Sequence, residues 1–275
     1  MACHLRSTSL PTRSNSLVLK VEEELQMLRT CINSFSSTGP MLFDGLKRLG
    51  DLYEYIEELL CLPSNQSGLS HSNQEKWVEE ELEQSVRLLD ICRATRNNLS
   101  AMKVHIQDLQ IAFRRGGEAA IQSKVQAFVR LVKKANKDIK KQTSNKCGST
   151  TPVKEECDSL KMVRLLIDAR EIAVSLFQSI LSFFTEQMVR AKTSKWSFVS
   201  MTFHKRKPAC GEAKVEDDAS IFSYSCKDLD DERALRAQKQ LQSLEISIEG
   251  LGNGFECLFR RMIQCRVSLL NICSS

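Results

Sequence analysis

The sequence predicts an all-α fold: an elongated bundle of about six helices, several of them long and marked by heptad-like seams, in which apolar residues recur at alternating steps of three and four. Two further observations support this class. Glycine and proline number only 11 and 5 among 275 residues, and most lie between the periodic segments, which leaves few turns for a β protein. The apolar content of 42% is enough for a packed core.

The longest periodic stretch runs from Ser72 to Gly117 and predicts one long helix. Ser72 and Glu75 have capping-box spacing at its start, and the Gly116-Gly117 pair ends it. Such a helix is about 60 Å long, so it must pack along other long helices. Apart from Thr95 its seam is apolar and consists of Leu88, Cys92, Leu99, Met102, Ile106, Leu109 and Phe113.

The segments before this stretch predict an arm, two helices and a loop. Residues 1–16 are basic and serine-rich, which is typical of a flexible arm. Apolar seams predict helices over residues 17–36 and 42–60. Pro63 ends the second of these helices, and the polar residues 64–71 predict a loop.

The second half of the chain predicts three more helices and one long loop. A strongly basic helix extends to about residue 141. The next helix, over about 151–193, is apolar on two faces, which predicts a central place against the long helix and the last one. Residues 195–227 lack periodicity and predict a loop that is mobile at least in part. The last helix begins near Ser225 or Asp228.

Three glycines interrupt the middle of the last helix. Gly250, Gly252 and Gly254 each weaken a helix interior, so they predict a kink or a close helix crossing. Residues 17–275 as a whole predict a single helical-bundle domain. The rest of the seam in the last helix is regular and consists of Leu241, Leu244, Ile248, Leu251, Phe255, Leu258, Met262, Cys265, Leu269 and Ile272.

The sequence also indicates whether the chain spans a membrane and in which compartment it lies. The longest uncharged run of the central helix covers residues 172–185, fourteen residues, whereas about 20 are needed to span a bilayer. The eleven cysteines contain no CxxC pair, and the N-terminus has no apolar signal region, which favours a reducing compartment. We expect a cytoplasmic protein. A nuclear location, a location peripheral to a membrane and, less favoured, an organelle transit peptide are the alternatives.

The sequence contains no motif of an enzyme. Nucleophile elbows, phosphate-binding loops, paired metal ligands and dinucleotide fingerprints are absent, and the four histidines are scattered. The segment from Gly250 to Gly254 resembles a glycine-rich loop only superficially, because no strand precedes it. We therefore expect a protein without catalytic, cofactor-binding or metal-binding residues.

Two clusters of basic residues are candidate contact surfaces for anionic partners. No aromatic residue that could stack on bases lies among the first cluster, so nucleic acid is an unlikely partner, and an anionic membrane surface remains open. Both clusters are also compatible with an ordinary solvated face, and the second with nuclear import. The residues are Lys133, Lys134, Lys137, Lys140 and Lys141 in the basic helix and Lys205, Arg206 and Lys207 in the long loop.

The N-terminal arm contains two candidate phosphorylation sites. Arg6 precedes Ser9 by three residues and Pro11 follows Ser9 by two, a spacing that suits a basophilic kinase and, after phosphorylation, recognition by 14-3-3 proteins. Arg13 and Ser16 repeat the pattern without the proline and form a weaker second site. Short patterns of this kind also occur by chance in arms rich in serine and arginine.

Segments along nearly the whole chain resemble the plant BYPASS-related proteins. The resemblance implies a protein of that family, most of whose members are a domain of unknown function, and whose best-known branch restrains a mobile root-derived signal in root and shoot development. It implies no activity and no catalytic residue. The glycines at 250–254 stand where the family leads us to expect a charged, helical stretch. The segments are Arg6-Ser7-Thr8-Ser9-Leu10-Pro11, Val21-Glu22-Glu23-Glu24-Leu25, Gly45-Leu46, Leu52-Tyr53, Lys76-Trp77-Val78-Glu79, Ser85-Val86-Arg87-Leu88-Leu89-Asp90, Leu109-Gln110, Arg114-Arg115, Lys195-Trp196-Ser197, Leu258-Phe259-Arg260-Arg261 and Val267-Ser268-Leu269-Leu270-Asn271.

Two classes of function follow from these observations. The first is a non-enzymatic helical interaction protein of plant development or stress signalling, with protein partners. The second is a peripheral membrane protein that binds anionic lipid through its basic residues and the two apolar seams of the central helix.

Overall fold

The computed structural model describes residues 10–33, 39–70, 72–115, 118–144, 158–190 and 219–274. Every regular element in these ranges is an α-helix, which confirms the all-α class. The helices are α1 (Leu10–Asn33), α2 (Gly39–Leu60), α3 (Pro63–Leu69), α4 (Ser72–Arg115), α5 (Glu118–Ser144), α6 (Asp158–Arg190) and α7 (Ala219–Cys273).

The chain forms two compact units, and the four long helices contribute to both. Unit 1 contains residues 1–97, 135–183 and 250–275, and unit 2 contains residues 98–134 and 184–249.

The described residues contain seven helices, one more than the sequence predicted. We expected Pro63 to end a helix and residues 64–71 to form a loop, but Pro63 begins α3. Leu62 before it is extended, and proline at the first helical position loses no hydrogen bond because that N–H has no intrahelical partner. The Asn65 side chain donates to the Leu59 carbonyl oxygen at 2.8 Å, which ties α3 to the end of α2.

The ends of three other helices differ from the prediction. The first helix begins at Leu10 rather than at residue 17, with Pro11 in its first turn. The described part of α6 is shorter than the predicted range, and α7 begins at Ala219, before the predicted start near Ser225. The predicted loop over 195–227 lies outside the described residues as far as 218, and so does the Gly116-Gly117 pair.

The helix α6 is central within unit 1, as its two apolar faces predicted. It contacts α4 through the Arg170–Glu81 ion pair and α7 through the rings of Phe177 and Phe255, whose centroids lie 5.0 Å apart. Ten of the thirteen seam residues of α6 between Met162 and Phe184 are buried, and the other three are half-buried. Most of the two seams is therefore covered within the part of the chain that the structure describes.

The seams of α4 and α7 also face the core as predicted. Every seam residue of α4 is buried except Phe113, and every one of α7 except Leu244. The polar interruption at Thr95 is fully buried, and its hydroxyl donates to the Ile91 carbonyl oxygen at 2.8 Å, so it leaves no polar group unsatisfied.

Polar contacts tie the helices of unit 2 together. Glu245 of α7 accepts hydrogen bonds from Gln107 and Gln110 of α4 at 2.7 and 2.8 Å, and Lys124 of α5 pairs with Asp108 of α4. These contacts lower the pKa of the Glu245 and Asp108 carboxyl groups, in each case mainly through the hydrogen bonds that they accept.

The glycines of α7 lie at a close helix crossing in unit 1. The helix is continuous through them. A Cβ atom on Gly254 would lie 2.7 Å from Cδ2 of Leu46 on α2, whereas one on Gly252 would meet nothing within 4 Å. Gly254 thus lets α2 approach closely, and the predicted crossing is found there.

The described helices include none that is both long enough and apolar enough to cross a membrane.

Candidate anion-binding surface

The positive charge of the chain is concentrated on α5. This helix contains seven Lys and Arg against one Glu and one Asp, a net charge of +5. The whole chain also has a net charge of +5, from 39 basic and 34 acidic residues, so the other residues balance at 32 of each sign. A local positive field is therefore expected around α5.

The register of α5 puts its basic residues on the side away from the core. In unit 1, Lys137, Lys140 and Lys141 are exposed, while Ala135 and Ile139 are buried. In unit 2, Arg130, Lys133 and Lys134 are exposed, while Phe128 and Val132 are buried. At 3.6 residues per turn these six cations fall within an arc of about 120°, opposite the buried residues. We call these six residues the basic face of α5.

Most cations of the basic face are not engaged in ion pairs. Among the described residues, Arg130, Lys133, Lys134, Lys137 and Lys141 make no ion pair. The seventh cation of the helix, Lys124, lies outside the face.

Cations on other helices are commonly neutralised. Arg48 pairs with Asp44 at 2.9 Å and with Glu24 at 3.2 Å, and Arg29 pairs with Asp168 at 2.9 Å. Because few anions compete for it, the basic face is available to an external one.

The other predicted site residues fall into two groups. Arg6, Ser9 and the loop cluster Lys205, Arg206 and Lys207 lie outside the described residues. Pro11 and Ser16 lie within α1, and the Ser16 side chain is exposed. The structure therefore places only the α5 lysines together.

Unit 1 also contains a buried ion pair that the sequence analysis missed. Glu81 accepts from Arg170 Nε at 3.0 Å and from Nη2 at 3.4 Å, and the two side chains are only 8% and 11% exposed. Burial raises the pKa of the Glu81 carboxyl, while the charge and hydrogen bonds of Arg170 lower it. The ion pair therefore lies in a buried environment in which an isolated carboxylate would be strongly disfavoured.

The sequence did contain a signal for this pair. Glu81 stands one heptad before Leu88, in the register of the α4 seam. Arg170 stands between Ile167 and Val174, where a step of three continues the second seam of α6. One acid and one base in two facing apolar seams indicate a buried pair.

Two cysteines of unit 1, Cys92 and Cys265, have buried thiols. Burial raises the pKa of Cys92 to about 12 and that of Cys265 further, which makes both thiols unreactive. No group of three or more His, Cys, Asp or Glu side chains in the described ranges could hold a metal ion.

Comparison with known proteins identifies a family. No curated protein and no solved structure matches the chain. A family model described as Protein BPS1 matches residues 45–272, from α2 to the end of α7. This match agrees with the resemblance to BYPASS-related proteins and suggests a role in plant development. The chain belongs to the BPS1 family.

Proposed function

We propose that this member of the BPS1 family is a non-enzymatic helical interaction protein, acting in the cytoplasm in plant root and shoot development or stress signalling. Its partners are proteins, and the basic face of α5 is the surface that contacts an acidic region of a partner. The observation that carries this proposal is that α5 alone has a net charge of +5, equal to that of the whole chain, and that six of its seven cations lie on one exposed face.

The strength of such a contact follows from its charges. Lysine is a compact, flexible point charge, which suits attraction to clustered carboxylates more than a bidentate geometry. An exposed pair contributes only about 0.2–1 kcal/mol, so several must act together. The interaction should therefore speed association and weaken steeply with salt, since the Debye length is about 8 Å at physiological ionic strength.

Proximity labelling in root tissue tests the proposal. The wild type is compared with a variant in which Lys133, Lys137 and Lys141 are replaced by Glu. A control variant carries the same replacement at Lys47, Lys76 and Lys239, three exposed lysines on other helices. We expect the α5 variant alone to lose a set of labelled partners. Identical partner lists for all three proteins would reject the basic face as the contact surface.

A second candidate function is peripheral binding to an anionic membrane. With most of the two seams of α6 buried, this alternative depends mainly on the basic face, where each Lys or Arg near an anionic surface contributes about 1 kcal/mol. Flotation with vesicles of phosphatidylserine separates the two functions. Salt-sensitive co-migration that the α5 variant loses favours the membrane, and no co-migration of the wild type removes it.

Binding of a 14-3-3 protein at phosphorylated Ser9 is a further proposal for the partner. Phosphate adds about −1.5 to −2 charges and three acceptor oxygens, which an arginine-lined groove can bind. The test is capture of 14-3-3 protein by a synthetic peptide of residues 1–21, with and without phosphate on Ser9 or Ser16. Equal capture by all peptides, or capture by none, would end this proposal.

A further inference from the structure

A small cavity lies among α2, α4, α6 and α7 within unit 1. Its volume is about 20 Å³, which is room for one particle of the size of a water molecule. Pockets for metabolites are usually about 300–1,000 Å³, so the cavity is far too small for one. Five polar or charged side chains line it: Tyr53, Glu81, Ser85, Arg170 and Arg266.

The principal acceptors around the cavity are already engaged. Both carboxylate oxygens of Glu81 accept from Arg170. The Ser85 hydroxyl donates to the Leu82 carbonyl oxygen at 2.7 Å and accepts from Arg266 Nη1 at 2.7 Å. Glu81 and Arg170 together therefore carry no net charge.

Arg266 brings a positive charge that the described residues do not balance. Its guanidinium donates to the Leu82 carbonyl oxygen and to Ser85, and it makes no ion pair within the described ranges. Arginine has five N–H donors and no acceptor, so several donors remain. With Glu81 and Arg170, the three charged groups at the cavity sum to +1.

The Tyr53 hydroxyl is the second donor at this site. Tyr53 is only 5% exposed, and its hydroxyl makes no hydrogen bond to another described residue. Burial raises the pKa of this hydroxyl well above its ordinary value; the Cys265 thiol and the Glu81 carboxylate also raise it, whereas Arg170 lowers it. The hydroxyl therefore stays protonated at neutral pH and can donate.

We propose that this cavity binds one monovalent anion of halide size, held by the Arg266 guanidinium and the Tyr53 hydroxyl. A water molecule could satisfy Tyr53 but would leave the charge of half-buried Arg266 without a counterion. The walls of Leu88, Leu166 and Met262 favour a weakly hydrated ion. Sulfate, phosphate and organic acids are too large for the cavity. This site is independent of the basic face of α5.

Thermal unfolding of the full chain tests the proposal at constant ionic strength. Sodium bromide or chloride replaces sodium gluconate, whose anion is too large to enter. We expect a saturable rise in melting temperature of about 3 to 6 °C at ten times the Kd. Arg266→Gln should abolish this rise and Tyr53→Phe should reduce it. Arg260→Gln, which removes an exposed arginine from the same helix, should leave it unchanged.

Two results would overturn the proposal. One is an unchanged melting temperature when halide replaces gluconate, which would mean that no halide binds. The other is a rise specific to halide that survives in Arg266→Gln. If Arg266→Gln does not fold, line broadening of the chloride NMR signal by the wild type and by Tyr53→Phe decides instead. Weaker broadening by the variant supports the site, and equal or absent broadening rejects it.

Discussion

At the residue scale, the Glu81–Arg170 pair should dominate the response of unit 1 to substitution. Arg170→Leu removes the partner of a buried carboxylate, so we expect the free energy of unfolding to fall by about 3–5 kcal/mol. The double variant Glu81→Leu, Arg170→Leu leaves no buried charge and should recover most of this loss. Urea denaturation of the wild type, both single variants and the double variant measures the coupling. Additive losses would contradict the pairing.

The same pair predicts a pH dependence. Burial raises the folded-state pKa of Glu81 above its ordinary value of 4.5, and loss of Arg170 should raise it further. Between the ordinary and the raised pKa the folded protein binds more protons than the unfolded chain, so stability falls as pH rises through that window. The deficit of Arg170→Leu should therefore be largest at pH 7 and shrink toward pH 5. A deficit that grows on acidification would contradict this assignment.

At this scale the sequence predicted which residues are buried, but not which residues contact each other. Periodicity placed Thr95, Phe177 and Ile180 in the core, because a side chain in an apolar seam faces the neighbouring helix regardless of its partner. It did not pair Glu81 with Arg170, since the two residues are 89 positions apart and only packing brings them together.

At the element scale, the crossing of α2 and α7 in unit 1 gives two glycines of α7 different surroundings. Gly252→Ala should raise the free energy of unfolding by about 0.5–1 kcal/mol, because alanine favours the helix and its Cβ meets nothing within 4 Å. Gly254→Ala gains the same propensity but forces buried Leu46 aside, which costs about 1–3 kcal/mol. Urea denaturation should give Gly252→Ala a higher free energy of unfolding than Gly254→Ala. The reverse order would contradict the crossing.

The burial of α6 is tested by one substitution made at two sites. Ile180→Asp puts an unpaired charge at a position with 0% exposure, and a cost of several kcal/mol against a total of about 5–15 should unfold the protein. Ile246→Asp makes the same change at an isoleucine of α7 that is 66% exposed, where about ±0.5 kcal/mol is expected. Circular dichroism during heating compares them. A normal melt for Ile180→Asp would show that α6 is not core.

The ends of elements were predicted less well than their faces. A proline in the sequence does not show whether a helix ends or begins there. Pro63 begins α3, and Pro11 lies in the first turn of α1. Apolar periodicity could not reveal α3, since only Leu69 of its seven residues is buried. The long seams of α4 and α7 were reliable because each repeats over many turns.

At the scale of the whole molecule, the net charge of the chain equals that of α5, because acidic and basic residues are equal in number in the rest of the chain. The sequence located the α5 lysines, but only the structure put them opposite Phe128 and Val132 and left most of them without ion pairs in the described ranges. The partner could not be predicted, because a lysine face attracts any anionic surface and encodes no shape. Reversing the charges of this face should change binding and leave folding almost unchanged.

Crosslinking from the basic face tests the proposed function most directly. A photoreactive amino acid replaces Lys137 or Lys141, and in control proteins it replaces Lys47 or Lys239, which are also exposed. In root extract at low salt, the α5 positions should crosslink to an acidic protein that the control positions do not reach, and added salt should remove the product. The same products from both sets of positions, or none from α5, would contradict the basic face as the contact surface.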